Sequence, residues 1–211
     1  MTDADILRAA RRVIGRRGYD GFSLSAVAKD LGVSRGAIIL RFKSTHLLKL
    51  RLAAWQIENL EAFLRSLTAL KSGDGLLHFA AAIGGLINQD NLRSFSVVVQ
   101  GNLEDTRLAK IESRRRPLMR AAIAARMPKS AIDREAAVTL FEAHMSGSIR
   151  QWESMSRISA AAYLVAQTKD WLTLTGIGFT KTYNPLLKQA ADAHRDVGRS
   201  AKSRKPHPRR A

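Results

Sequence analysis

Residues 31–45 read LGVSRGAIILRFKST, the pattern of a turn followed by the second helix of a helix-turn-helix. Gly32 can adopt the left-handed backbone conformation that ends a helix, and Ser34 is a typical N-cap for the next one. Ile38 and Phe42 are four residues apart, so they share one face of that helix and are expected to pack inward. The stretch therefore predicts a short helix whose opposite side can contact a partner.

The outward side of this predicted helix carries residue types that can read DNA bases. We expect the following residues on or near that side: Arg35, Gly36, Ala37, Ile39 and Arg41. Because a recognition helix is inserted by its N-terminal residues, Arg35 and Ala37 are the leading base readers, the first for guanine acceptors and the second for a thymine methyl group. Ile39 and Leu40 either contact thymine methyl groups as well or are covered by neighbouring protein.

The charge of the chain favours a polyanionic partner. Among 211 residues, 35 Lys and Arg against 18 Asp and Glu give a net charge of +17. Residues 1–55 hold 11 basic and four acidic side chains, and residues 195–211 hold seven and one. Bound cationic side chains release counterions, so nucleic acid is the first choice of partner and an anionic membrane the second. A basic composition that serves solubility alone is the remaining reading.

Residue content also argues against several function classes. The absence of cysteine excludes disulfides, thiolate metal sites and cysteine nucleophiles. No apolar run approaches the roughly 18 residues of a membrane span, and the first residues lack the pattern of an export signal. The five histidines lack metal-ligand spacing, and no phosphate-binding glycine loop or nucleophile motif occurs. We expect no enzyme activity, no metal, no cofactor, no membrane partner and a cytoplasmic, nucleoid-associated protein.

Apolar residues recur at helical spacing along almost the whole chain, which predicts an all-α fold. Expected helices begin near residue 2, near Ser25 and after the caps Ser34 and Ser44, the last running to about residue 67. Later helices are expected at about 76–88, 92–103, 106–126, 132–154 and 159–175. Paired glycines, Gly84 and Gly85, weaken a helix and predict a close approach or a bend there.

Residues 6–48 carry a set of motifs that together resemble one known family. They are the Ala-Ala pair of the first helix, the Gly-Tyr and Phe-Ser pairs before the second, the turn Ala-x-x-Leu-Gly-Val-Ser-x-Gly-Ala, and the closing Phe-x-Ser. In this order and spacing they resemble the N-terminal domain of the tetracycline-repressor (TetR) family of bacterial transcription regulators. The resemblance implies a DNA-binding domain at residues 1–48, with these contacts: Ser25, Ser34, Arg35, Gly36, Ala37, Ile39, Arg41, Lys43 and Thr45.

Some of these contact positions depart from the family pattern. Ile39 stands where the family usually has a phosphate-binding tyrosine, and Thr45 stands where it often has a lysine. Arg41 replaces a frequent histidine or tyrosine and could reach a base or a phosphate instead. DNA binding is still expected, because phosphate contacts set affinity and register in a distributed way.

Beyond residue 67 the resemblance is one of architecture. It implies a helical ligand-binding and dimerisation domain at residues 49–190, with the fourth helix as a lever and the last two helices pairing two subunits. Candidate ligand contacts, which could equally be ordinary core residues, are His78, Phe95, Phe141, His144, Met145 and Trp152. Residues 191–211 form a basic tail expected to be disordered, which either grips phosphates or serves solubility.

These observations predict a ligand-responsive transcription regulator. By resemblance it is a repressor that binds a palindromic operator on double-stranded DNA as a homodimer and is released by a small, largely apolar effector. Two alternatives stay open. One is a helical small-molecule-binding or interaction protein with weakened DNA contacts, and the other is a basic protein that coats nucleic acid without sequence choice.

Overall fold

The computed structural model describes residues 1–130, 133–154 and 158–182, except for the side chains of residues 89–91 and 93–95. These ranges contain ten α-helices and no strand, which confirms the predicted all-α class. None of these helices is both long and apolar enough to cross a membrane. The predicted basic tail at residues 191–211 lies outside the described residues.

The helices run through the described ranges in the order α1 (Asp3–Arg17), α2 (Leu24–Leu31), α3 (Arg35–Phe42), α4 (Thr45–Ser66), α5 (Gly73–Gly85), α6 (Gln89–Leu103), α7 (Thr106–Glu112), α8 (Arg115–Arg126), α9 (Arg134–Glu153) and α10 (Ala160–Leu174).

Polar N-caps start most of these helices. The hydroxyl of Thr2 accepts from the backbone N–H of Asp5, whose carboxylate in turn accepts from the backbone N–H of Thr2. These hydrogen bonds with Thr2, the backbone one first, lower the pKa of Asp5 to about 2. Single serine caps follow at Ser23, Ser34, Ser44, Ser72 and Ser159. Each cap satisfies an N–H that has no partner inside its own helix.

The single helix expected at 106–126 is wrong, because the chain forms α7 and α8 there. Pro117 has no N–H, so a continuous helix would lack the bond to the carbonyl of residue 113. The chain instead restarts at Arg115, which places Pro117 in the first turn of α8, where a backbone N–H has no intrahelical acceptor. Leu118 then resumes the helical pattern by donating to the carbonyl of Arg114.

Two hydrophobic clusters make up the core. The first joins α1, α2, α3 and the start of α4, and it also takes in Val98 from α6. The second fills the space between α5, α8, α9 and α10, with Phe141 and Trp171 in edge-to-face contact at 4.9 Å between ring centroids. As the paired glycines predicted, the helices approach closely: a Cβ on Gly84 would clash with the Cα of Ala161 in α10.

A buried arginine holds the far end of the long helix α4. Arg126 is 2 % exposed and donates from one terminal nitrogen to the carbonyl of Leu67, which caps the C-terminus of α4. The second terminal nitrogen donates to the carbonyl of Ala122 in α8. Burial lowers the pKa of Arg126, while its position at a helix C-terminus favours a positive charge. α4 is thus tied to α8 at one end and to α3 at the other.

Candidate nucleic-acid interface and ligand cavity

α2 and α3 form a helix-turn-helix of minimal length. Gly32 ends α2 in the left-handed conformation, with φ 67° and ψ 29°. The N–H of Val33 donates to the carbonyl of Ala28 at 3.0 Å, which closes the turn. The hydroxyl of Ser34 then accepts from the N–H of Ala37 and starts α3. Gly32 and Ser34 therefore hold the local roles that the sequence predicted for them.

The two sides of α3 differ in solvent exposure as expected, except at Ala37 and Ile39. Ile38 and Phe42 are buried, at 0 % and 6 % exposure. Three of the predicted contact residues within α3 are exposed on the surface: Arg35, Gly36 and Arg41. Ala37 is partly covered, and Ile39 packs against the N-terminal core instead of lying fully outward. Leu40, which falls outside the predicted contact set, is 85 % exposed.

The two arginines of α3 have different surroundings. A terminal nitrogen of Arg41 lies 2.5 Å from a carboxylate oxygen of Asp3 at the start of α1. Within residues 1–130, 133–154 and 158–182, Arg35 has no such ion pair. Because an exposed ion pair contributes about 0–1 kcal/mol, a DNA phosphate can replace Asp3 as the partner of Arg41 at little cost.

The junction after α3 presents further polar groups. Lys43 is exposed and has a φ of 56°, which is rare for a residue with a side chain. The N–H of Ser44 donates to the carbonyl of Phe42 at 2.5 Å, so residues 42–44 form a tight γ-turn. Ser44 then caps α4, whose first residue, Thr45, is partly exposed. Ser25 is exposed in the first turn of α2.

The carboxylate of Asp30 ties the helix-turn-helix to α1. The side chain of Asp30 in α2 is 10 % exposed and accepts hydrogen bonds from Arg12 and Arg16 of α1. Burial alone would raise the pKa of Asp30, but these hydrogen bonds and charges outweigh it and lower that pKa. α1 and α2 are therefore joined by charge as well as by the apolar core.

A cavity of about 570 Å³ opens beside α8 and α9 in the C-terminal part of the chain. Its walls are largely apolar and include Ile83, Met119, Ile123, Met145 and Ile149. At its polar end Glu142 accepts from Arg116 at 2.8 Å and from Arg120 at 3.1 Å. The bond from Arg116 outweighs partial burial and, with the bond from Arg120, lowers the pKa of Glu142. The cavity thus pairs an apolar wall with an ionised rim.

The predicted ligand contacts do not meet in this cavity. Of the six, Met145 lines it. Phe141 and His144 pack near Trp171, with His144 Nε2 lying 3.0 Å from the carbonyl oxygen of Gln167 and burial lowering the pKa of that histidine. The indole N–H of Trp152 donates to the carbonyl of Ile158 at 2.8 Å. His78 is half-buried in α5, and the side chain of Phe95 lies outside the described residues.

A buried polar chain joins the cavity wall to the N-terminal helices. The carboxylate of Glu112, which lines the cavity, accepts from Arg115 and from the side-chain amide of Asn102 at 3.2 Å. The amide oxygen of Asn102 accepts in turn from the hydroxyl of Tyr19, which follows α1. Glu112 is 5 % exposed and Asn102 is 1 % exposed. Burial first, and the charge of Glu112 second, raise the pKa of the Tyr19 hydroxyl above its usual range.

Sequence reasoning missed this chain because its members are 83 residues apart between Tyr19 and Asn102. One local signal was present, since Gly101 leaves space for an aromatic ring: a Cβ there would lie 2.5 Å from the ring of Tyr19. Lys49 of α4 covers the same ring at 4.3 Å from its centroid. Tyr19 is therefore packed between α6 and α4 as well as hydrogen-bonded.

Comparison with known proteins bears on both halves of the chain. Residues 6–48 match the family of bacterial regulatory proteins described as the tetR family. No curated protein matches the chain.

Several solved structures share the fold. A member of the TetR family from Streptomyces coelicolor has a TM-score of 0.62 and 18% identity, covering 79% of this chain and 95% of its own. The TetR family transcriptional regulator PfmR from Thermus thermophilus has a TM-score of 0.59 and 18% identity, covering 78% and 94%. The multidrug binding protein EbrR, complexed with malachite green, has a TM-score of 0.62 and 19% identity, covering 84% and 98%.

The family match covers the helix-turn-helix described above, and the shared fold extends over most of the chain. The family consists of regulators and not of enzymes, in agreement with the expected lack of catalysis. Residues 6–48 of this chain are therefore a helix-turn-helix domain of the tetR family of bacterial regulatory proteins, and the chain shares the fold of solved TetR-family regulators.

Proposed function

We propose that this chain is a homodimeric repressor that binds a palindromic operator and leaves it when a small, largely apolar effector occupies the C-terminal domain. DNA binding is assigned to residues 1–48, and effector binding and dimerisation to residues 49–190. The observation that carries the proposal is the exposed surface of α3, on which Arg35 and Gly36 lie in the first turn while Ile38 and Phe42 are buried in the core. Such a regulator acts in the cytoplasm at the nucleoid, where the chromosome is.

DNA binding is supported by the polar groups around α3. Base reading is assigned to the N-terminal end of the helix, at Arg35 and Ala37, and to Arg41 once Asp3 is displaced. Phosphate contacts are assigned to Ser25 in the first turn of α2 and to Lys43 and Thr45, which directly follow α3. A dimer would present two copies of this surface about one turn of the double helix apart, which is the arrangement that a palindrome matches.

The experiment is a competition titration at fixed salt between a selected palindrome and unrelated duplexes. Arg35→Ala should weaken binding by roughly 1–3 kcal/mol and relax base preference at one position of each half-site. Arg65→Ala is the control, because Arg65 is a well-exposed arginine at the far end of α4. Equal loss in both variants would mean that Arg35 supplies only charge and would contradict its role in reading bases.

Dimerisation is supported by an uncovered stripe on α9. Ala136, Leu140, Ala143 and Gly147 are exposed at the spacing of one helical face, with Leu140 at 51 %. Nothing in the described part of the chain lies within 4 Å of a Cβ built on Gly147, so a second subunit could approach closely there. Leu140→Glu should give a monomer by light scattering and abolish the preference for a palindrome over a single half-site. If the variant is still a dimer, the dimer interface does not include this stripe of α9.

Effector response is supported by the cavity and by the polar chain from Glu112 to Tyr19. A molecule that contacts Glu112 would disturb the hydrogen bond to Asn102, and Asn102 holds Tyr19 of the N-terminal part. An effector can release DNA only if it favours a conformation of the protein that binds operator poorly. Here the two conformations would differ in whether the hydrogen bonds from Glu112 through Asn102 to Tyr19 are made.

Malachite green, which the structural relative EbrR binds, is a practical first probe. We expect the dye to bind and to lower operator affinity in the wild-type protein. Ser146→Trp should block the cavity and the dye without weakening operator binding, because Ser146 lines the cavity but is exposed. Tyr19→Phe should bind the dye alone and the operator alone as tightly as the wild type does. The dye should lower its operator affinity less. If the dye lowers the operator affinity of Tyr19→Phe as much as that of the wild type, the hydrogen bonds from Glu112 to Tyr19 do not carry the response.

A second candidate function is favoured by the surroundings of Ile39 and Arg41. Ile39 is partly covered and Arg41 is paired with Asp3, so two contact positions are less available than in the proposed regulator. The alternative is a helical small-molecule-binding protein whose DNA contacts are weak. Negligible binding of every duplex in the competition titration would support it, whereas equal binding of all duplexes would indicate a protein that coats nucleic acid.

A further inference from the structure

Leu40 is the most exposed large apolar side chain of residues 1–48. It is 85 % exposed, against 51 % for Met1 and 45 % for Leu47. It also lies in α3, in the middle of the exposed side described above. Burying a leucine that was exposed is favourable, so a partner that covers Leu40 with an apolar group gains affinity there.

Helix geometry directs Leu40 straight away from the protein. With 3.6 residues per turn, Leu40 lies about 200° around the helix from Ile38 and about 160° from Phe42. Those two residues are the buried ones of α3, so Leu40 is opposite the core. Gly36 lies one turn earlier on the same side and has no side chain. A Cβ at Gly36 would find only the hydroxyl of Ser34 within 4 Å, at 3.8 Å. Leu40 therefore projects beside a glycine, where the backbone of α3 can come close to a partner.

Ile39 has a different environment, although it is the neighbouring apolar residue. It packs against the N-terminal core cluster, so much of its surface is already satisfied within the protein. Of the three apolar residues at the centre of α3, Ile38 is buried and Ile39 is partly covered, so Leu40 is the one whose side chain is available for a partner.

A DNA major groove offers one apolar group for such a side chain. Among the base edges, thymine alone carries a methyl group there, at C5, while the other groups are hydrogen-bond donors and acceptors. We infer that Leu40 determines operator sequence by contacting thymine C5-methyl groups, so that each half-site carries a thymine that the protein requires. This inference rests on the proposed function, in which α3 enters the major groove.

The test uses duplexes enriched by the wild-type protein from a random-sequence library, in which each thymine is replaced singly by uracil. Uracil pairs as thymine does and lacks only the methyl group, so shape and hydrogen bonding are retained. We expect the wild-type protein to lose about fourfold in affinity at one or two positions of each half-site, the value of one buried methyl group. Leu40→Ala should bind the thymine and uracil duplexes equally at those positions.

Leu86→Ala is the matched control, because Leu86 is an exposed leucine at the end of α5, outside α3, and the variant should keep the thymine preference. A wild-type protein indifferent to uracil at every position would overturn methyl reading while leaving the regulator intact. A preference that survives in Leu40→Ala would overturn the assignment to Leu40. If no sequence is enriched at all, the proposed function fails and methyl reading fails with it.

Discussion

The N-terminal helices and the C-terminal helices are held in place in different ways. α1, α2 and α3 each begin at a hydroxyl cap, and α1 and α2 end at glycine, so signals within a few residues determine where they lie. In the C-terminal part, α5 and α10 also begin at serine caps, but α8 has no side-chain cap and α5 meets α10 through Gly84 and Ala161, which are far apart in the sequence. The positions of α1, α2 and α3 are thus marked largely by neighbouring residues, whereas the cavity is lined by residues of five helices, α5 to α9, that only the tertiary fold brings together.

The largest effect among the following predictions is expected at Gly84, in the contact between α5 and α10. Gly84→Ala places a Cβ against the backbone of Ala161, which cannot move aside as a flexible side chain would. We expect a loss of about 3 kcal/mol in the free energy of unfolding, measured in urea. Gly85→Ala is the control, since Gly85 is exposed in the same helical turn and should change stability by less than about 1 kcal/mol. Equal effects would contradict the close contact of α5 with α10.

The N-terminal half also has contacts between helices, among them the pairing of Asp30 in α2 with Arg12 and Arg16 in α1, and removing this pairing tests how much such a contact adds to local capping. Asp30→Asn should lower the free energy of unfolding by about 2 kcal/mol at pH 7. Because the folded-state pKa of Asp30 is lowered, its contribution is present above the unfolded pKa and is lost as the pH falls through the folded one. Thermal melting should therefore separate wild type and variant at pH 7 and bring them together toward acid pH. Asp20→Asn, at an exposed position, should show no such convergence.

Local capping of α3 is testable by Ser34→Ala. The variant leaves the N–H of Ala37 without its cap and should cost about 1 kcal/mol in unfolding free energy. Ser25→Ala is the matched serine control, because Ser25 is exposed and is not a cap. Measurement without DNA separates this effect from lost phosphate contacts. If both variants are equally stable, α3 does not depend on its cap.

The smallest expected effect concerns the turn at Lys43. Lys43→Gly should stabilise the folded state by about 0.5 kcal/mol, because glycine adopts a positive φ without the penalty of a Cβ. Lys43→Ala keeps that penalty and should show no gain. Both variants lose the same cation, so a chemical-unfolding comparison isolates the backbone term. A gain in both would assign the effect to charge.

Much of the N-terminal domain could be predicted because its determinants are local. Thr2, Ser34 and Ser44 are caps that identify helix starts from neighbouring residues alone. The break between α7 and α8 was missed, although Pro117 was visible, because proline also occurs in the first turn of helices and the periodicity continued past it. The inward face of α3 followed from spacing, but how far Ile39 is covered depends on its neighbours in the core.

The ligand cavity could not be predicted residue by residue. Aromatic and histidine side chains such as Phe141 and His144 fit both a pocket and a core, and periodicity does not distinguish the two. The structure packs them beside Trp171 and lines the cavity largely with aliphatic residues and an ionised rim. The partner of Tyr19, Asn102, is set by how α6 lies against α1, which no local pattern encodes.

The γ-turn at residues 42–44 leaves no slack between the recognition helix and the long helix that follows it. The backbone N–H groups of Lys43, Ser44 and Leu48 donate to the carbonyls of Ile39, Phe42 and Ser44 in turn. We therefore expect α3 and the start of α4 to move as one rigid unit. If an effector shifts the end of α4 that Arg126 holds, Arg35 and Leu40 are then expected to turn together, whereas a longer connection between α3 and α4 would take up that shift.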